Sequence, residues 1–93
     1  MKDIIIAIGN SDNKLTQIEW SNYVKDVNHS IDRFCDERHF FGGSSNWERW
    51  QNVAWIVTCD EGMLPYLKER LTKVRQTYRQ DSVAMTVGDT EFI

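Results

Sequence analysis

Two unbroken apolar runs, Ile4-Ile5-Ile6-Ala7-Ile8 and Val53-Ala54-Trp55-Ile56-Val57, constrain the fold of this chain more than any other feature. A run of this length, rich in β-branched residues, reads as a strand covered on both faces. Each run is followed by a stretch with amphipathic helical spacing, so the chain reads as two β-α-β halves.

The first strand is expected over residues 3–9, closed by Gly9, with a polar turn cluster at Asn10-Ser11-Asp12-Asn13-Lys14. Thr16 and Glu19 stand at the spacing of a capping box, in which each side chain bonds the other residue's backbone N–H, and Leu15 and Trp20 take the staple positions. Trp20, Val24, Val27 and Ile31 continue one apolar stripe, which predicts a helix from Gln17 to about Ser30. A more mixed strand, Arg38–Gly43, then leads through the loop Gly43–Arg49 into the second apolar run, and the short connection implies an antiparallel hairpin. Asp60 is the expected cap of the second helix, with Pro65 tolerated near its start; Leu64, Leu67, Leu71, Val74 and Tyr78 repeat in steps of three and four. A last strand is expected at Ser82–Val87, followed by Asp89-Thr90-Glu91-Phe92-Ile93.

The order β-α-β-β-α-β is that of a ferredoxin-like split β-α-β sandwich: one α+β domain over 1–93, with a four-stranded antiparallel sheet and two helices on one face. In that arrangement the first and third strands are central, and those are the two continuously apolar ones. Two helices cover only one face, whereas both central strands are apolar on both. A second cover is therefore expected, whether a second subunit, a ligand or the C-terminal segment, with sheet-to-sheet homodimerisation as the preferred account.

The net charge is −3 and the pI near 5.2, which argues against a general nucleic-acid binder. No apolar stretch approaches the roughly 20 residues that span a bilayer, and Met-Lys-Asp followed by a short strand does not read as a signal peptide. The expected setting is cytoplasmic, in a bacterium or a phage-infected cell. Cys35 and Cys59 form no disulfide framework and are expected as thiols.

Candidate chemistry is sparse. Cys35, His39, Cys59 and Asp60 lack the paired-cysteine spacing of a zinc site, and a Cys35–His39 nucleophile has no identifiable orienting residue, so no metal, cofactor or catalytic residue is assigned. Gly9-Asn10-Ser11-Asp12 matches neither a P-loop nor a dinucleotide fingerprint and reads as a structural turn. Lys68, Arg70, Lys73, Arg75 and Arg79 on the second helix read as a solvated face, or as a contact for phosphate or an acidic partner. The binding candidates are Trp47, Arg49 and Trp50 in the hairpin loop, together with His39 and Trp55: Trp and Arg are enriched at binding hot spots, and a loop tip on a rigid hairpin suits recognition.

Glu19-Trp20 at the first helix, Arg75-x-x-Tyr78, and Gln80-Asp81-Ser82-Val83 after the second resemble a family of small, uncharacterised bacterial domains with the same element order. The resemblance implies the architecture and no particular activity. The hairpin here is shorter than in that family, so no ligand site is carried over from it. The expected function is a non-enzymatic binding or regulatory module working through protein contacts, of a size and acidity that fit a phage or mobile-element protein acting on a host complex. The alternative is a small-molecule enzyme or binding protein with a pocket on the open sheet face near Trp55, His39 and Cys59.

Overall fold

Strand alternation decides which side chains of the two apolar runs reach the core. A computed structural model describes residues 1–10, 14–44 and 51–93. In chain order the elements are β1 (Lys2–Gly9), α1 (Gln17–Phe34), β2 (Glu37–Gly43), β3 (Asn52–Cys59), α2 (Leu64–Thr77) and β4 (Ala84–Gly88), with a 3₁₀ turn at Glu61–Met63 before α2. The fold is mixed α+β. Its four-stranded antiparallel sheet is open and ordered β2-β3-β1-β4, so the two continuously apolar strands are the inner ones.

β1 and β3 pair along their whole length, Ile4 opposite Val57 and Ile6 opposite Trp55. These four side chains, with Ile8 and Cys59, are buried in a core completed by Trp20, Tyr23, Val27 and Ile31 of α1 and Leu67, Leu71 and Val74 of α2. Trp55 fills the centre: its ring lies 5.3 Å from that of Phe41, and its Nε1 donates to Asn28 Oδ1 at 3.0 Å. The other phase of each strand is open. Ile5 and Ile56, which pair with each other, are 45% and 37% exposed. Of the three covers considered, the C-terminal segment does not supply this one: Phe92 is 94% exposed and Ile5 and Ile56 stay open.

The helix ends follow local chemistry. Thr16 N donates to Glu19 Oε1 at 3.1 Å and Glu19 N to Thr16 Oγ1 at 3.2 Å, completing the capping box. α1 runs four residues past the expected Ser30 because Ile31 still has core to fill; it stops where Cys35 turns to extended backbone. Asp60 caps the 3₁₀ turn through Gly62 N rather than α2 itself, which starts with Pro65 in its first turn and no side-chain cap. Before α1, the buried Asn10 amide donates to Leu15 O and accepts from Leu15 N, each at 3.1 Å, and also donates to Gln51 Oε1. That clamp accounts for the structural reading of Gly9-Asn10; positions 11–13 of the turn cluster lie outside the described residues.

α2 ends on a left-handed residue that is not glycine. Arg79 has φ 57°, Arg79 N donates to Gln76 O, and Gln80 N reaches back to Arg75 O at 3.0 Å. This is the hydrogen-bond pattern of a glycine-type helix stop, here with a Cβ in the strained position.

Two outcomes follow. Arg79→Gly and Arg79→Ala both lose the exposed ion pair to Glu19, so their difference isolates backbone strain. The glycine variant is expected to be the more stable by about 1 kcal/mol in urea unfolding. Trp55→Ala removes a fully buried indole and leaves Asn28 without its donor, with an expected cost of about 3–5 kcal/mol in the same measurement.

Candidate functional site

The open face is laid out in rows set by strand register. Phe40, Ile56, Ile5 and Thr86 form one row from β2 to β4, and Gly42, Ala54, Ala7 and Ala84 the next. The first carries the apolar bulk, with Phe40 50% exposed. The second is a shelf of small residues. A Cβ on Gly42 would come within 3.0 Å of Phe40 Cζ, so the ring lies over the glycine and takes up the space a side chain there would fill. The result is an apolar surface built on Phe40, Ile56 and Ile5, with the Phe40 ring reaching over Gly42.

A polar chain borders this surface at the Lys2 end. His39 Nε2 lies 2.6 Å from Thr58 Oγ1, and Thr58 Oγ1 donates to Asp3 Oδ1 at 3.2 Å. Asp3 Oδ2 accepts from Thr90 N at 2.9 Å, which ties the segment after β4 to the rim. An ionised Asp3 only accepts, so the Thr58 proton is committed to it and His39 is the donor to Thr58. That order orients the imidazole. The Asp3 carboxyl is held below its ordinary value by the Thr90 side chain first; burial opposes, and Thr58, Thr90 N–H and the His39 charge add to the lowering. Lys2 lies beside it, 3.2 Å from Asp89 and 3.6 Å from Glu61.

The expected site residues do not come together. His39 is on the open face, placed beside Thr58 by a bulge between Arg38 and Phe40. Trp55 and Cys59 are fully buried on the helix side, so the three residues expected around one pocket lie on opposite faces of the sheet. Trp47, Arg49 and Trp50 lie outside the described residues. Cys35 closes α1, and the buried Cys59 thiol donates to Phe34 O at 3.3 Å. Among the described residues no group of three or more His, Cys, Asp or Glu side chains could hold a metal ion, and no helix is long and apolar enough to cross a membrane. Lys73 on α2 pairs with Glu69 at 3.3 Å, and Arg79, which lies past the end of α2 rather than on it, pairs with Glu19 at 2.7 Å, so part of the basic surface is neutralised internally.

Asp3 and Thr58 were not among the expected site residues. Their only signal in the sequence is that each is a polar residue at the end of an apolar run, on the same phase as Ile5 or Ile56.

A carboxyl whose folded pKa is depressed contributes stability above its ordinary value and loses that contribution as the pH falls through the folded value. Asp3→Asn is therefore expected to melt below the parent protein at neutral pH. The gap should close as the pH drops below the ordinary carboxylate value of 3.8. Thermal melts of both proteins across that range check it, and a gap independent of pH would remove Asp3 from the rim's acid response.

A scan against protein-family models finds no matching family, and a search of curated proteins finds no match.

Proposed function

We propose that this chain is a ferredoxin-like, non-enzymatic binding or regulatory module that acts through protein–protein contacts, and that a second copy docks on its open sheet face. The ferredoxin-like reading is supported by the strand order: β3 lies between β1 and β2, β1 lies between β3 and β4, and a helix makes each crossover. One observation carries the functional reading. Phe40, Ile56 and Ile5 stand side by side, each more than a third exposed, next to a shelf of glycine and alanine. Scattered exposed apolar residues are ordinary, but a contiguous apolar row running from an edge strand across the two inner strands of a sheet marks a contact surface. A second sheet laid across it would bury the row, while Asp3, His39 and Thr58 would remain at the rim, as polar groups do in interfaces. A reducing cytosol suits a module with the free thiols Cys35 and Cys59.

Ile56→Lys tests this directly. Sedimentation equilibrium of the parent chain is expected to show self-association that the variant weakens by about tenfold or more. Because Ile56 is already 37% exposed, the variant's unfolding free energy should stay within about 1 kcal/mol of the parent's. A variant that stays folded and associates as strongly as the parent would remove the open face as the docking surface.

A further inference from the structure

The two outer edges of the sheet are built differently. β2 carries Glu37, Arg38 and His39, and its ladder is broken by a bulge between Arg38 and Phe40. Charge and irregularity of this kind keep an edge strand from pairing with another chain. β4 is Ala84-Met85-Thr86-Val87-Gly88, uncharged and regular across all five of its pairs with β1. It has neither lysine, proline nor bulge to discourage a further strand.

Beside that edge lies a cleft of about 350 Å³ between α2 and β4, lined by Lys68, Leu71, Thr72, Arg75, Val83 and Met85. Its floor is apolar: Leu71 belongs to the core, and Val83 and Met85 pack against it. Its charged groups are two cations and no acid. Arg75 Nη1 donates to Gln80 O at 2.9 Å, which fixes the guanidinium at the end of the cleft near Val83. A strand laid along the outer edge of β4 would turn alternate side chains towards this cleft. The lining fits a strand that brings acidic and apolar residues together.

The chain carries a segment of that composition. Asp89-Thr90-Glu91-Phe92-Ile93 follows β4 directly, and its last three residues are exposed. When two β4 edges pair antiparallel about a two-fold axis, the segment after Gly88 of each copy runs past Val83–Met85 of the other. Met85 and Val87 lie on the helix side, opposite Ile6 and Ile4, and strand alternation carried beyond Gly88 puts Glu91 and Ile93 on that side too. With the segment after Gly88 running past Val83–Met85, Glu91 stands opposite Val83, at the Arg75 end of the cationic cleft.

We propose that the undefended edge of β4 pairs with the same edge of a second copy, and that Glu91 of each copy lies in the other's cleft between α2 and β4. This contact uses a different surface from the open face and stands or falls separately from it. The test is made in the Ile56→Lys protein, where the open face is disabled. Sedimentation equilibrium is expected to show residual dimer. Lys68→Glu or Glu91→Lys should each weaken that dimer by about tenfold or more, because each sets like charges against one another. The double charge reversal should recover most of the loss. Lys68 and Glu91 are exposed, so circular dichroism should show the fold unchanged in all three. Backbone amides of β4 should also exchange more slowly as concentration rises. If the Ile56→Lys protein is monomeric at every concentration while the parent chain dimerises, the edge contact is overturned and the open-face reading stands. The edge contact is equally overturned if a dimer persists but ignores both charge reversals, or if the double reversal recovers nothing.

Discussion

The β1–β3 ladder is the element on which the rest of this structure depends. β1 is hydrogen-bonded on both sides, to β3 along eight paired positions and to β4 along five. The phase of that ladder decides the role of nearly every large side chain in the sheet. Ile4, Ile6, Trp55 and Val57 receive the helices, while Ile5 and Ile56 are left on the far side. A slip of β3 by one residue would exchange its two sets, bringing Ala54 and Ile56 into the core and exposing the Trp55 indole. The volume of Trp55 and its bond to Asn28 on α1 hold the register, because only one phase places the indole against that amide.

The start of α1 was legible because its cause is local, and the inner position of the apolar strands because their unbroken apolar runs mark them. Thr16 and Glu19 act on each other's backbone within one turn, and the capping box they spell in sequence is the one the structure contains. The phase of the apolar runs was not legible. Five consecutive apolar residues carry no alternation, so nothing in Val53–Val57 says which way Trp55 points. The polar chain was hidden for a different reason. Asp3, His39 and Thr58 come from three strands, and only the assembled sheet brings them within hydrogen-bonding distance. The cleft beside β4 is likewise a product of assembly: Lys68 and Arg75 read as a solvated helix face until Val83 and Met85 are placed beneath them.

Face and edge present different chemistry. The open face offers area without direction, since apolar contact there is indifferent to the exact angle of approach. The β4 edge offers direction with little area, since a backbone ladder admits a partner strand only in register. The β2 edge, with its bulge and its charges, offers neither. A domain with one permissive face and one permissive edge has only a small set of ways to meet another surface, and the residues controlling each way do not overlap.

Cys35 and Cys59 have a practical consequence. Burial pushes the Cys35 thiol up to about 12, with the neighbouring Cys59 adding to the effect, and it raises Cys59 as well. Cys59 is completely enclosed, whereas Cys35 is only partly covered. Alkylating reagents attack thiolates, so in the closed molecule both sulfurs are slow to react and Cys59 is inaccessible. The chain thus carries two internal clocks at one seam. Alkylation of Cys59 requires the helix layer to separate from β3, whereas the partly covered Cys35 reports on the closed molecule, with no introduced label in either case.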